Sequence, residues 1–288
     1  MDRFDIEEEP FAGGASGRVY NTRIRDSNKS VVIKKIPIPR NILSPRNVRE
    51  ISLLLELKHP NIVQLLEPVA VMEEQLCLVF ECFGWDLQEH MQTKPERYPT
   101  LRKSFLQQML EAVAFCHSKD VIHRDLKPAN ILVDTNANPP VVKVADFGLA
   151  RGFITEASLS PEVVTFGYRA PELHLGAPYS TPIDIWSVGC IFFEMVTMKN
   201  LIPANCESEE MNRIFSIMGT PTEEIWPGVA ELPLYSSDFR RYAPQDLETM
   251  VSDLEPAENA DFRPQPKNNC AECTWPCLFS GPMIVLKL

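Results

Sequence analysis

Short alternating runs of apolar and polar residues fill the first eighty positions of the chain. "RVYNTRI" and "SVVIKKI" are rich in β-formers and are separated by the polar turn "RDSNKS", which predicts two strands. In "VVIKKI" a period of two places Val32, Lys34 and Ile36 on one face. "SPRNVREISLLLELK" predicts a helix, with Ser44 as its N-cap and Pro45 at its first position. On that helix Glu50, Leu54 and Leu57 share one face. "LCLVFEC" returns to strand, and from about Leu101 the period becomes helical, in "LRKSFLQQMLEAVAFCHSK" and "DIWSVGCIFFEMVT". A strand-rich part followed by a helix-rich part predicts two lobes, with a junction near Glu81 to Asp86. Beyond about Leu254 the chain is rich in Pro, Asn and Cys without helical period, and reads as a poorly ordered tail.

Composition narrows the function classes. The 288 residues suffice for one large domain or two lobes, and a hydrophobic fraction of 44% with 23% charged residues fits an ordinary globular chain. A formal net charge of −11 argues against nucleic acid or an anionic membrane surface as the main partner. The longest apolar run, "IWSVGCIFF" from Ile185, ends at Glu194, far short of a bilayer span. The opening "MDRFDIEEEP" is acidic and lacks the order of a secretory signal. These features predict a reducing compartment, nucleus and cytoplasm, with the eight cysteines mostly free thiols. Cys77, Cys82, Cys116 and Cys190 lie in apolar runs, as small core residues do. Cys270, Cys273 and Cys277 either donate three thiolates to zinc, which usually takes four ligands, or simply belong to a thiol-bearing tail.

Several stretches carry chemistry. Residues 12–19, "AGGASGRV", would be a G-x-G-x-x-G-x-V phosphate loop if Ala12 were glycine, and Gly14 and Gly17 keep the capacity to turn backbone N–H groups toward phosphate. Ala12 loses only access to positive φ, a small matter if its position is ordinary β. Lys34, between apolar neighbours, is either a snorkelling surface residue or a buried cation with an anionic partner. Glu50 faces apolar packing and needs a cation if buried, so the two form a natural pair. "HRDLKPAN" (123–130) is too dense in polar groups for a smooth helix or strand. It is followed by "KVADFGLAR", "TFGYRAPE" (165–172) and "PIDIWSVGCIF" (182–192). No G-x-x-x-x-G-K-[ST] occurs, which sets a P-loop ATPase aside.

With "REISLL", "HPNIV", "LVFE", "VAFCH", "HRDLKPAN", "ADFGLAR", "EVVT", "YRAPE", "GTP" and "WPGV" in this order, the chain resembles the eukaryotic protein kinases, and among them the cyclin-dependent kinases, from about residue 4 to 254. The resemblance implies an α+β bilobal fold: an N-lobe with a five-stranded antiparallel sheet and one helix (1–82), a hinge (83–86), a mostly helical C-lobe (87–254, incomplete at its end) and an atypical tail (255–288). It implies ATP and Mg²⁺ as cofactors. Phe11, Ala12, Gly13, Gly14, Ala15, Ser16, Gly17 and Val19 would cover the nucleotide, with Val32, Phe80 and Leu132 walling the pocket. The Glu81 carbonyl and Phe83 N–H would read adenine, and Asp86 would meet the ribose. Lys34 would hold the α- and β-phosphates with Glu50 fixing its ammonium. Asp125 would accept the substrate hydroxyl proton, Lys127 would neutralise the moving phosphoryl group, Thr165 would steady both, and Asn130 and Asp146 would bind Mg²⁺.

The same resemblance implies serine/threonine specificity, because Lys127 stands two residues past Asp125. It also implies a pocket for proline after the target residue, formed by Val163, Val164 and Arg169. Arg49, Arg124 and Arg151 would receive a phosphate placed by an activating kinase on Ser160, the aligned position, with Ser158 as the neighbouring alternative. "SPRNVRE" stands where the family meets cyclin, which implies a cyclin-like activating subunit; Val48 replaces the isoleucine that cyclin buries. The chain departs at Ala12, at Ala15-Ser16 in place of an inhibitory Thr-Tyr pair, at Gly167 in place of tryptophan, and at Gly84-Trp85. No arginine matching the usual partner of Glu172 follows Leu254, which predicts marginal stability and a truncated or alternative form. The leading expectation is a protein kinase; the rival is a kinase-fold module that binds cyclin or substrates while phosphorylating little.

Overall fold

The computed structural model describes residues 3–7, 9–14, 17–72, 74–152, 164–246 and 250. Its first part is an antiparallel sheet: β1 (Phe4–Ile6), β2 (Ala12–Gly14), β3 (Gly17–Ile24) and β4 (Lys29–Pro37), then helix α1 (Pro45–Glu56), then β5 (Leu65–Met72) and β6 (Gln75–Glu81). The strand order is β1-β3-β4-β6-β5, with β2 also paired to β3. β1 and β2 are two arms of one edge strand, since Phe4 faces Ile24 and Ala12 faces Val19 along the same partner. The five strand positions expected from the sequence are therefore filled, one of them interrupted.

Alternation along the strands splits their side chains between two cores. Val31, Ile33, Cys77 and Val79 join Phe4 in a small outer cluster. Leu76 and Leu78 point the other way into the main core, where Leu54 of α1 and Leu57, the residue just past its end, also sit. α1 begins as expected: Ser44 Oγ accepts the Asn47 N–H, and Pro45 occupies the first turn.

The second part follows β7 (Trp85–Asp86) and comprises α2 (Leu87–Thr93), α3 (Tyr98–Ser118), β8 (Val121–Ile122), β9 (Ile131–Asp134), β10 (Val141–Val144), β11 (Arg151–Gly152), α4 (Pro171–His174), α5 (Pro182–Thr197) and α6 (Glu207–Met218). α3 starts three residues before the periodic stretch, because Pro99 suits a first turn and Tyr98 is buried with its hydroxyl 2.8 Å from His90 Nδ1. α5 is apolar nearly all round and lies inside the main core, where Trp186 and Ile191 are fully enclosed. No described helix is long and apolar enough to cross a membrane.

Two small sheets position the polar loops. β9 and β10 pair with Ile131 opposite Val144, and the Ala145 N–H donates to the Asn130 carbonyl at 2.9 Å. That register sets Asn130 beside the residue that precedes Asp146. β8 and β11 pair Ile122 with Arg151, closing the loop between them. The parts are stitched at Val144, whose N–H donates to the Asn61 carbonyl and whose carbonyl accepts from Val63. One expectation fails: Cys77, Cys116 and Cys190 are buried, but Cys82 is exposed, because it follows the last residue of β6 and leaves the pleat that would have turned it inward.

Candidate active site between the lobes

Lys34 on β4 reaches across to two carboxylates, Glu50 Oε1 at 2.9 Å and Asp146 Oδ1 at 2.8 Å. Register and helix period make this possible: Lys34 faces Leu78 on β6, and Glu50 lies on the α1 face that buries Leu54. Burial works against the Lys34 ammonium, but the Asp146 and Glu50 charges outweigh it and hold its pKa above the ordinary lysine value. Burial likewise pushes Asp146 up, and Lys34 more than reverses this, so Asp146 stays below the usual carboxylate range. Asp146 sits at φ +59°, which a short polar side chain tolerates, and its Oδ1 also accepts the Gly148 N–H.

The loop 123–130 is held from below by Asp184 of α5. Its buried carboxylate accepts the His123 N–H at 2.8 Å and the Arg124 N–H at 2.9 Å, and lies 2.9 Å from His117 Nε2. Those bonds steady a backbone in which Arg124 takes φ +66°. His123 Nδ1 accepts the Asp125 N–H, so its proton belongs on Nε2, where it donates to the Ala145 carbonyl at 3.0 Å. The ring packs edge-on against Phe147.

Asp125 is engaged on both oxygens. Thr165 Oγ1 donates to Oδ1 at 2.8 Å, Asn130 Nδ2 donates to Oδ2 at 3.1 Å, and Lys127 Nζ lies 3.1 Å from Oδ2. Lys127 also donates to Thr165 Oγ1 at 2.9 Å, which closes a triangle. Asn130 gives its amide hydrogens to Asp125, including the backbone carbonyl at 2.7 Å. Its own Oδ1 is therefore a carbonyl acceptor, and with the Asp146 carboxylate it offers the hard oxygen ligands that suit Mg²⁺.

Among the residues that the kinase resemblance assigns to adenine, Phe80 is half-buried at the end of β6. The Glu81 carboxylate accepts the Gln64 N–H and a 2.6 Å bond from Lys143 Nζ, and Lys143 lies 5.0 Å from the centre of the Phe83 ring. A Cβ at Gly84 would overlap the Val133 carbonyl, so glycine is required where the chain turns toward β7. Asp86 caps α2 by accepting the Glu89 N–H, and it pairs with Leu132 across the strands. Val19 and Val32 are half-buried on β3 and β4, while Phe11 is exposed.

In the glycine-rich strand, Ala12 is not among the residues at positive φ and pairs normally with Val19. Gly13 has room for a Cβ, but at Gly17, φ +128°, a Cβ would lie 2.6 Å from the Lys35 carbonyl oxygen. Arg124 donates to the Leu149 carbonyl and the Tyr179 hydroxyl. Val164, at φ +73°, accepts at its carbonyl a 3.2 Å bond from Arg169 Nη2. Ala15, Ser16, Ser158, Ser160, Val163, Arg263 and the three tail cysteines lie outside the described residues, as do the side chains of Arg49 and Arg151 and the surroundings of Gly14.

Sequence reasoning missed Asp184, Lys143 and Glu210. Asp184 and Lys143 fall inside quoted motifs, but their partners are distant in the chain. Glu210 carried a signal, because Ile214 and Ile217 at i+4 and i+7 turn its face of α6 inward.

A two-lobed fold with a lysine, an asparagine and two aspartates gathered at the junction defines a nucleotide-dependent phosphotransferase. A family model described as the protein kinase domain matches residues 7–255. The chain therefore belongs to the protein kinase family, a class of transferases that bind ATP and act on proteins.

Proposed function

We propose that this kinase is of the cyclin-dependent type and phosphorylates serine or threonine followed by proline. The observation that carries the reading is the triangle of Asp125, Lys127 and Thr165, with Lys127 donating to the hydroxyl that also holds the Asp125 carboxylate.

In the proposed reaction the substrate hydroxyl oxygen attacks the γ-phosphorus of ATP. The new O–P bond forms as the bond to the β,γ-bridging oxygen breaks, and the hydroxyl proton passes to Asp125. Thr165 and Asn130 fix the orientation of that carboxylate, and Lys127 offsets charge on the moving group. Lys34, braced by Glu50, would hold the nucleotide phosphates. Asn130 and Asp146 would hold Mg²⁺, which would supply neutralisation of the phosphate charge.

Proline selectivity is supported by the Val164 carbonyl, which is turned to the Arg169 guanidinium and so withdrawn from a substrate N–H that proline lacks. An activating subunit is supported by the apolar surface around α1, where Ile42, Leu43, Val48 and Leu55 are exposed. Control by phosphate on Ser160 is supported by Arg124, a buried guanidinium that among the described residues bonds a carbonyl and a hydroxyl and no acid.

A phosphotransfer assay tests the reading, with and without a co-expressed cyclin, using a Ser-Pro peptide and its Ser-Ala counterpart. Transfer is expected to require the cyclin, to favour Ser-Pro, and to fall about 10²- to 10⁴-fold in Asp125→Asn. Equal rates on the two peptides would remove the proline assignment. Nucleotide binding without any transfer would favour the interaction-module alternative.

A further inference from the structure

Beneath the segment 164–169 lies a charged cluster that the reaction does not use. Glu210 of α6 is 0% exposed. Its Oε1 accepts the Gly167 N–H at 2.6 Å and the Arg169 N–H at 3.4 Å. Its Oε2 lies 3.1 Å from His174 Nε2, at an angle off the hydrogen-bond line, and His174 of α4 is itself buried. A carboxylate taken out of water needs such compensation, and short bonds to backbone N–H groups are among the strongest available.

Gly167 is shaped for this bond. Its φ of +94° is one that other residues rarely adopt, and a Cβ there would lie 2.8 Å from Asn200 Nδ2. The tryptophan of the resembled kinases could not stand at this position without moving Asn200 and the backbone. The same short segment carries Thr165, which touches Asp125, and ends at Arg169, whose guanidinium bonds the Val164 carbonyl and lies 4.9 Å from the Phe166 ring centre.

We propose that Glu210, backed by His174, is a positioning residue for protein-substrate recognition, setting the backbone of 164–169 through the Gly167 and Arg169 amides. Glu210 touches neither nucleotide nor reacting atoms in this assignment, so its influence falls on the protein substrate and not on ATP. The inference rests on the kinase reading for its kinetic consequence alone; the positioning itself is a property of the fold.

The test uses the full chain and two variants. Glu210→Gln keeps an oxygen for the amides without the charge, and Glu210→Met removes both. Amide hydrogen exchange is expected to accelerate about tenfold or more at Gly167 and Arg169 in Glu210→Met, less in Glu210→Gln, and not at all along α3. With the cyclin-activated enzyme, the KM for a Ser-Pro peptide should rise about tenfold in Glu210→Met while the KM for ATP stays within about twofold, and Glu210→Gln should recover part of the loss. Unchanged exchange at the two amides, acceleration spread equally through α3 and α5, or an ATP KM that rises with the peptide KM would overturn the proposal. If Glu210→Met fails to fold, Glu210→Gln decides by the same measurements. If the wild-type chain transfers no phosphate, the functional reading fails on its own and the exchange experiment still decides this one.

Discussion

Thr165 Oγ1 donates to Asp125 Oδ1 at 2.8 Å, although forty residues separate the two in the chain. The hydroxyl accepts from Lys127 Nζ at the same time, so one side chain orients both the acid-base candidate and the cation beside it. Thr165→Ala should lower kcat about tenfold to a hundredfold, as expected when a hydrogen bond to a charged group is removed. The KM for ATP should stay within about twofold, and Thr165→Ser should restore most of the rate. Steady-state kinetics with both substrates varied would check this, and an unaltered kcat in Thr165→Ala would remove Thr165 from the site.

Lys34 is the shared cation of Glu50 and Asp146, and the Lys34–Glu50 contact is almost wholly out of water. Lys34→Met should destabilise the fold by about 3–5 kcal/mol, because it strands a buried carboxylate. Adding Glu50→Gln should recover part of that loss, since the second change removes the stranded charge. Urea unfolding of the wild type, both single variants and the double variant measures the coupling. Strictly additive effects would mean that the pair does not interact.

Glu172 of α4 is buried and pairs with no cation among the described residues. Burial pushes its carboxyl up to about 7, from an ordinary value of 4.5. The folded state then holds this proton more tightly than the unfolded chain does. The stabilisation is complete below about pH 4.5 and is lost as pH rises through about 7, amounting to about 3 kcal/mol. Glu172→Gln, neutral throughout, should gain on the wild type between pH 5 and pH 8. Urea midpoints at those two pH values would test it, and parallel pH profiles would show that a cation reaches Glu172 in solution.

Gly13 and Gly17 differ although both belong to the glycine-rich hairpin. Gly13→Ala should change stability by less than about 0.5 kcal/mol, because its Cβ would meet nothing nearer than Arg18 Cγ at 3.7 Å. Gly17→Ala should cost about 1–3 kcal/mol, through its positive φ and the Lys35 carbonyl in the way. Thermal melts of the two variants give the comparison, and equal losses would contradict it.

By itself the sequence determined where strands and helices run, because period, capping and proline placement act over a few neighbouring residues. Ser44 and Pro45 start α1, alternation in "VVIKKI" puts Lys34 on the face opposite the outer cluster, and the ordered motifs pointed to a kinase. Tertiary structure decided which charges meet. Asp184 beneath the 123–130 loop, Lys143 on Glu81, and Glu210 with His174 under Gly167 depend on elements about forty to sixty residues apart in the chain. Burial is likewise a property of the assembled fold. Glu172 and Glu210 are both buried carboxylates on helices, yet Glu210 finds two backbone amides and an imidazole while Glu172 finds no cation among the described residues. Local pattern can say that a side chain turns inward, but only packing determines whether a partner is there to receive it.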